Sequence, residues 1–405
     1  MSREAVAFAV GVSAGISVYS LLRSLVDLST AVYAAPAGPV NPALAALGED
    51  QSTALVRRDL EAELALPREA LLRITRQMVI EMRRGLFSHG QTLKMIPSYV
   101  SKRPTGKESG SYLALDLGGS NFRVCEITLA PNTSGGSGVR SRQKKFVVRE
   151  DLKTGTAKEL FDFFALCVEQ FMLQDLGLEK ADLSADPPRK LGFTFSFPVQ
   201  QTSLAKGYLV SWTKGFSATG VVEQDVVALL QEAFARREIN INVAALVNDT
   251  VGTLVSHSYS DPQTYAGIIL GTGANAAYVE STGQIQKWQG TDEDETGEMI
   301  INTEWGAFDE EHAVIPFTRY DKYLDRASRN PGRQTYEKMI GGLYLGELVR
   351  IATVGLMQSG HMFPKINLAT NLLNEPYKFE TAYMSRIERD HSLDLSDVNG
   401  FGLFI

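Results

Sequence analysis

The sequence predicts an α/β fold, because segments typical of strands alternate with segments typical of helices along most of its 405 residues. Short apolar runs predict strands at 112–117, 122–129, 191–197, 243–247 and 266–270. Apolar residues at helical spacing predict helices at 67–85, 157–173, 225–237 and 340–356. Two of the strands are followed directly by glycine turns. The length favours two domains, or one large domain with an appendage.

Composition narrows the class of protein. The chain is 44% hydrophobic and 21% charged, as soluble globular proteins are, and its net charge of −7 argues against a general nucleic-acid binder. Neither Cys125 nor Cys167 belongs to a CxxC motif, and the five histidines are scattered. We therefore expect no zinc site.

The N-terminal segment differs from the rest of the chain. Residues 5–22 carry no charge, and as a helix they would span about 27 Å, enough to cross a hydrocarbon core. Gly11 and Gly15 form a GxxxG pair that would let two such helices approach closely. Three interpretations stay open: a membrane anchor, a signal peptide cleaved near Ala34, or an apolar helix that packs on another surface.

The first motif with chemical potential is Leu115-Asp-Leu-Gly-Gly-Ser-Asn-Phe-Arg. Gly118 and Gly119 would let the backbone approach a phosphate group, and Ser120 and Asn121 add hydrogen-bonding groups. Asp116 is a candidate to hold Mg²⁺ through water. The motif matches neither the P-loop nor GxGxxG, and a plain tight hairpin is the alternative.

The second motif is Leu246-Val-Asn-Asp-Thr-Val-Gly. A strand that ends at Asn248 and Asp249 places an amide and a carboxylate at the mouth of a cleft. Phosphorylation of an alcohol needs a base for the hydroxyl proton, and Asp249 is the best candidate in the chain. The alternative is that Asp249 only caps a helix.

Two loops offer further polar groups. Thr213 and Lys214 lie in a glycine-flanked loop, where a hydroxyl and an ammonium group would hold sugar hydroxyls or offset phosphoryl charge. The turn Gly271-Thr-Gly, which includes Thr272 and Gly273, follows an apolar strand, and Asn275 comes soon after it. For the pair of Thr213 and Lys214, an ordinary solvated loop is the alternative.

Glu304, in Asn-Thr-Glu-Trp-Gly, and Glu337, in Tyr-Glu-Lys-Met, are acids in polar contexts. Carboxylates that accept from neighbouring hydroxyls are a common grip on sugars. Taken singly, each glutamate is more typical of a surface charge.

Taken together, these motifs resemble those of eukaryotic, fungal-like hexokinases over residues 93–350. The resemblance also covers Lys94-Met-Ile-Pro-Ser-Tyr-Val, Leu191-Gly-Phe-Thr-Phe-Ser-Phe-Pro-Val, Trp212-Thr-Lys-Gly-Phe and Glu304-Trp-Gly-Ala-Phe. It implies the two-lobed actin-like ATPase (ribonuclease H-like) fold, with lobes that close on the sugar. Ser120 stands where the family usually has threonine, and the hydroxyl is kept.

The resemblance also implies a role for each matched residue. Asp249 would be the general base, with Lys214 as a second catalytic group. The hexose would contact Ser196, Thr213, Lys214, Asn248, Asp249, Asn275, Glu304 and Glu337. The first phosphate loop would be Asp116, Gly118, Gly119, Ser120, Asn121 and Arg123, and the second Gly271, Thr272 and Gly273.

The implied domain organisation has five parts. They are a hydrophobic segment (1–30), a Pro/Gly/Ala-rich linker (31–50), N-terminal helices of the large lobe (51–97), the small lobe (98–245) and the rest of the large lobe (246–405). Family members continue well past the segment 379–399, whereas this chain ends at Gly400-Phe-Gly-Leu-Phe-Ile. We therefore expect a large lobe that is incomplete at its C-terminus and lacks the helix that, in the family, packs against the adenosine of ATP.

The implied function is ATP- and Mg²⁺-dependent phosphorylation of glucose, fructose or mannose at the 6-hydroxyl, which feeds glycolysis. The alternatives are a catalytically impaired sugar sensor or regulator and an N-acetylglucosamine kinase on the same fold. We expect a cytosolic body, held through residues 5–22 to a membrane such as the mitochondrial outer membrane, and no nucleic-acid partner.

Overall fold

The structure is a computed structural model that describes residues 51–118, 121–130, 139–212, 215–288, 297–363 and 365–390, apart from the side chains of 51–54 and 57. The helices are α1 (Gln51–Leu64), α2 (Arg68–Phe87), α3 (Glu150–Thr154), α4 (Ala157–Gln170), α5 (Val226–Arg236), α6 (Asp249–Ser258), α7 (Arg319–Ala327), α8 (Thr335–Ile340), α9 (Gly342–Gln358) and α10 (Thr381–Arg389). The strands are β1 (Ile96–Pro97), β2 (Gly110–Leu117), β3 (Asn121–Leu129), β4 (Val139–Val147), β5 (Arg189–Phe195), β6 (Val199–Ser203), β7 (Lys206–Leu209), β8 (Ile241–Val247), β9 (Ala266–Leu270), β10 (Ala274–Ser281) and β11 (Glu298–Asn302).

The first lobe is built on a five-stranded sheet of order β4-β3-β2-β5-β8. β2 pairs antiparallel with β3 and parallel with β5, and β5 pairs parallel with β8. Alternate residues of β2 are buried in one cluster with aromatic side chains of α4. Phe164 of α4 stacks on Phe122 of β3 with ring centroids 4.5 Å apart. α4 begins where Thr156 and Glu159 form a capping box.

The second lobe contains a sheet of order β1-β11-β10-β9 in which every pairing is antiparallel. Both of its faces are covered, as the run of consecutive buried residues in β11 requires. Ile300 packs with Val251 and Leu254 of α6, whereas Met299 and Ile301 lie in the cluster that contains residues of α2. A further apolar cluster joins α7, α9 and α10 to Leu60 of α1.

The chain passes between the two sheets at the end of β8. β8 belongs to the first sheet, and α6, which begins two residues later, packs against the second. The Asn248 side chain caps α6 at this crossing. The crossing therefore places Asn248 and Asp249 where the two lobes meet.

The predicted alternation of strands and helices is confirmed, with small shifts at the ends of elements. The prediction of a strand to residue 197 is wrong, because β5 ends at Phe195. Phe197 donates its N–H back to the Phe195 carbonyl (2.9 Å), and Pro198 has no N–H for a ladder. The last predicted helix begins at Gly342 rather than 340, because Gly341 has an extended backbone.

The hydrophobic segment 1–30, the linker 31–50 and the C-terminal residues 391–405 lie outside the described residues. Among the helices that the structure describes, none is both long and apolar enough to cross a membrane. The anchor proposed for residues 5–22 therefore stays a prediction.

Candidate active site

The junction of β8 and α6 positions the predicted base. Asn248 Oδ1 accepts hydrogen bonds from the Thr250 N–H (2.9 Å) and the Thr250 hydroxyl (2.5 Å). Asp249 is the first residue of α6, is half-buried, and accepts from the same N–H at 3.0 Å. The N-cap is therefore Asn248, and Asp249 is the first residue of the helix that follows it. The carboxylate stands at the N-terminus of a helix, which favours negative charge.

A network of amide and carboxylate groups lies next to this junction. Asn275 Nδ2 donates to Asn302 Oδ1 (2.8 Å) and to Glu304 Oε1 (3.3 Å), and it lies 3.5 Å from Asn248 Oδ1. Asn302 Nδ2 also donates to Glu304 Oε1, at 2.8 Å. The structure thus brings together three predicted sugar contacts, Asn248, Asn275 and Glu304.

Asn302 and Thr303 belong to this network and were missed by the sequence-based prediction. The Thr303 hydroxyl donates to the Ala276 carbonyl (2.8 Å) and lies 3.3 Å from Asn275 Oδ1. Asn302 is the last residue of β11 and Thr303 follows it, whereas Asn248 and Asp249 follow the end of β8. The pattern of a buried strand that ends in polar residues would have found them.

Glu337 links the predicted sugar site to the second glycine turn. It lies on α8, and its Oε2 accepts from the Ala274 N–H at 3.0 Å. A Cβ added to Gly273 would lie 2.4 Å from the same oxygen, so any larger residue there would force the Glu337 carboxylate to move. The first turn of α9 also holds the second glycine turn in place. The Gly342 N–H donates to the Gly271 carbonyl (2.7 Å), and the Leu343 N–H donates to the Thr272 carbonyl (3.0 Å).

Burial also affects a tyrosine close to Glu337. It raises the pKa of the Tyr344 hydroxyl to about 12; the Glu337 carboxylate and, once ionised, Tyr377 raise it further, and Arg329 lowers it. Tyr344 therefore stays a neutral phenol at physiological pH, and it adds no negative charge beside the second turn.

The first glycine turn is the tip of the β2–β3 hairpin. The Gly118 N–H donates to the Asn121 carbonyl at 3.0 Å, which closes the hairpin. Asp116 and Arg123 are cross-strand partners, and Arg123 Nη1 donates to Asp116 Oδ2 at 2.9 Å. Gly119 and Ser120 lie outside the described residues. The carboxylate predicted to hold Mg²⁺ therefore already has a guanidinium partner.

Aromatic residues flank the loop that is predicted to bind the sugar. Trp212 stacks on Phe216 with ring centroids 5.3 Å apart and donates its Nε1–H to the Ala218 carbonyl (2.9 Å). These contacts hold both ends of the loop that carries Thr213 and Lys214, which themselves lie outside the described residues. Ser196 is buried at the end of β5. Its neighbours Phe195 and Phe197 line a small pocket shared with Asn248 and Asn302.

Two lobes, a glycine turn in each, and a carboxylate beside a polar network where they meet define the class of two-lobed sugar kinases. Two sequence profiles of the hexokinase family match the chain, at residues 56–259 and 265–401. The chain belongs to the hexokinase family.

Individual relatives agree with this assignment. The hexokinase of Schwanniomyces occidentalis is 41% identical over 343 residues, which are 84% of this chain and 70% of that protein. Hexokinase-2 of Oryza sativa subsp. japonica is 42% identical over 349 residues, 85% of this chain and 68% of the relative. The structure of the Schistosoma mansoni hexokinase complexed with glucose has a TM-score of 0.75 and 38% identity, and covers 85% of this chain and 75% of its own. These similarities also confirm the two-lobed fold.

Proposed function

We propose that this chain transfers the terminal phosphoryl group of ATP to the 6-hydroxyl of glucose, fructose or mannose. Hexose phosphorylation is the reaction of the family to which the chain belongs. The observation that carries the assignment of the site is the position of Asp249, next to a network of Asn248, Asn275, Asn302 and Glu304 where the lobes meet.

The polar network would hold the sugar. Amides offer both donors and acceptors, whereas carboxylates only accept, so a ring of hydroxyls finds complementary partners among these residues. Hydrogen bonds within the network fix the side chains before the sugar arrives, which lowers the entropy cost of binding. Bonds to Glu304 from the amides of Asn275 and Asn302 keep that carboxylate in place.

Asp249 would act as the general base. Its carboxylate takes the proton of the attacking hydroxyl as the oxygen approaches phosphorus, which makes that oxygen a better nucleophile. The hydrogen bond from the Thr250 N–H restricts the rotation of this carboxylate. Lys214 would offset the charge that develops on the transferred group.

The two glycine turns would hold the phosphates of ATP, because backbone N–H groups in such turns bind anions. Mg²⁺ usually keeps several waters and takes one or two protein carboxylates beside the phosphates. The half-exposed Asp116 fits that limited role, although it is paired with Arg123. The described residues contain no group of three or more acidic, histidine or cysteine side chains that would bind the ion alone. When bound, Mg²⁺ would neutralise phosphate charge.

A coupled assay of ADP release tests this function. The protein is offered glucose, fructose, mannose and N-acetylglucosamine in turn, with Asp249→Ala as the control. We expect release with the first three sugars and none from the control. Folded protein that releases no ADP with any sugar would refute the proposal. Release of ADP with N-acetylglucosamine alone would identify that sugar, and not glucose, fructose or mannose, as the substrate.

We also propose that residues 5–22 attach the protein to a membrane such as the mitochondrial outer membrane. The support is their uncharged length, which suffices to span a hydrocarbon core. Residues 1–40 fused to a fluorescent reporter should localise to a membrane. A diffuse cytosolic signal would contradict this.

A further inference from the structure

The short helix α8 depends on tertiary contacts for its stability and its position. It has only six residues, Thr335–Ile340, and a helix of that length is unstable without tertiary contacts. Yet it carries Glu337, whose carboxylate accepts from the Ala274 N–H next to the second glycine turn. The placement of Glu337 must therefore come from whatever fixes α8 to the rest of the lobe.

A buried ion pair fixes the helix immediately beside Glu337. The Lys338 side chain is 3% exposed, and its Nζ donates to Asp325 Oδ1 at 2.6 Å and to the Asn330 carbonyl at 2.8 Å. The Asp325 carboxylate also accepts from the Gly332 N–H, with both oxygens 3.0 Å away. The pair thus holds α8, α7 and the loop between them in one arrangement.

The N-terminal end of α8 is held at a second point. Gln334 has a left-handed backbone (φ 54°), and its N–H donates to Glu310 Oε1 at 2.7 Å. Below it, a Cβ added to Gly306 would lie 2.4 Å from Gln334 Oε1 and 3.0 Å from Glu337 Cβ. This close packing leaves α8 little room to shift.

We propose that Lys338 and Asp325 are positioning residues that set the place of the Glu337 carboxylate for the hexose. The inference rests on the proposed function, in which Glu337 binds the sugar. Adjacent residues of a helix do not face each other, and Lys338 is buried against Asp325, so it acts on the sugar only through Glu337. Removal of one partner of a buried pair leaves the other charge uncompensated, which would displace the helix.

A double-mutant cycle on glucose binding tests the coupling. Glu337→Gln, Lys338→Met and the double variant are titrated with glucose by calorimetry, without nucleotide. Each single change should weaken binding about tenfold, the effect of one lost hydrogen bond to a charged group. Because Lys338 acts through Glu337, the double variant should bind no more weakly than Glu337→Gln alone.

A matched control separates positioning from general stability. Arg350 and Glu347 form another buried pair in the same lobe, with side chains 6% and 5% exposed. Arg350→Met should lower the melting temperature as Lys338→Met does, and yet leave the dissociation constant of glucose unchanged. If Lys338→Met does not fold, Asp325→Asn, which keeps the size of the side chain, takes its place in the cycle.

The outcomes are distinct. Effects of Glu337→Gln and Lys338→Met that multiply in the double variant would overturn the positioning role, and so would a Lys338→Met protein that binds glucose normally. In either case the proposed function stands, provided that the wild-type protein binds glucose and that Glu337→Gln weakens this binding. Wild-type protein that binds no glucose would overturn both.

Discussion

The two glycine turns of the cleft differ in what holds them. The turn at Gly271–Gly273 is tied to Glu337 of α8 and to the first residues of α9 by hydrogen bonds of 2.7–3.0 Å. The turn that follows β2 is the tip of a hairpin, flanked by the pair of Asp116 and Arg123, whose side chains are 31% and 49% exposed. Such exposed pairs contribute about 0–1 kcal/mol.

The difference indicates a division of labour. The second turn is followed directly by Ala274, whose N–H donates to Glu337, and then by Asn275, which belongs to the polar network. The second turn and the network are therefore joined in one unit on this side of the cleft. The hairpin turn depends on local contacts, and the loss of one of them changes the free energy of unfolding little. Substitutions on the network side should therefore alter sugar binding or chemistry strongly, whereas those at the hairpin should alter mainly nucleotide binding.

The largest effect is expected at Asp249. Asp249→Asn keeps the size of the side chain and a hydrogen-bond acceptor for the Thr250 N–H, but it cannot take a proton. We expect kcat to fall about 10²–10⁴-fold, the usual contribution of a general base. Steady-state kinetics and a parallel glucose titration would check this. An unchanged kcat would remove Asp249 from the mechanism.

Gly273→Ala should break the link between the second turn and Glu337. The new Cβ would lie 2.4 Å from Glu337 Oε2, so that carboxylate must move. We expect the KM values of glucose and ATP both to rise about tenfold or more, because overpacking costs about 1–3 kcal/mol. Gly355→Ala on α9 is the control, since its Cβ would meet no atom within 4 Å. Equal effects of the two variants would refute the link.

At the hairpin turn, Arg123→Gln should raise the KM of ATP a few-fold and leave glucose binding unchanged. The pair with Asp116 is half-exposed, so the free energy of unfolding should fall by less than about 1 kcal/mol. Kinetics at varied ATP, calorimetry with glucose and denaturant unfolding would measure the three quantities. A loss of glucose affinity similar to that of Gly273→Ala would contradict the division of labour.

The smallest effect is expected at Glu81 of α2, whose carboxylate accepts from Gln77 Nε2 (3.1 Å) and the Asp309 N–H (3.4 Å). Burial raises the pKa of this carboxyl above its ordinary value, against hydrogen bonds from Gln77 and the Asp309 N–H. The folded state therefore binds the proton more tightly than the unfolded state, and stability is lost as pH rises from about 4.5 through the raised pKa.

Glu81→Gln removes this titration. The melting temperature of the variant, relative to wild type, should be higher at pH 7 than at pH 4.5. Thermal melts across this range would measure the difference. A difference that is constant with pH would show that Glu81 does not titrate in this way.

Much of the fold was predictable, because strands such as β9 and helices such as α4 have clear apolar patterns. The position of Asp249 where the lobes meet was predictable from the residues alone, since the buried strand β8 ends two residues before it. Glu304 and Glu337 depended on the family resemblance, because an isolated glutamate is usually a surface charge.

Other features of the structure could not be predicted from the local amino-acid sequence. Nothing local indicates that Lys338 is 3% exposed, because its partner Asp325 lies on another helix. The left-handed backbone of Glu304 (φ 54°) is likewise set by tertiary packing. Asn302 was missed although its position at the end of the buried strand β11 resembles that of Asn248 after β8.

The most direct test of this account is calorimetric titration of the wild-type protein with glucose in the absence of nucleotide. If the sugar site is assembled from the network side of the cleft, glucose should bind saturably with one site per chain. Folded protein that gives no saturable heat with glucose would contradict the account.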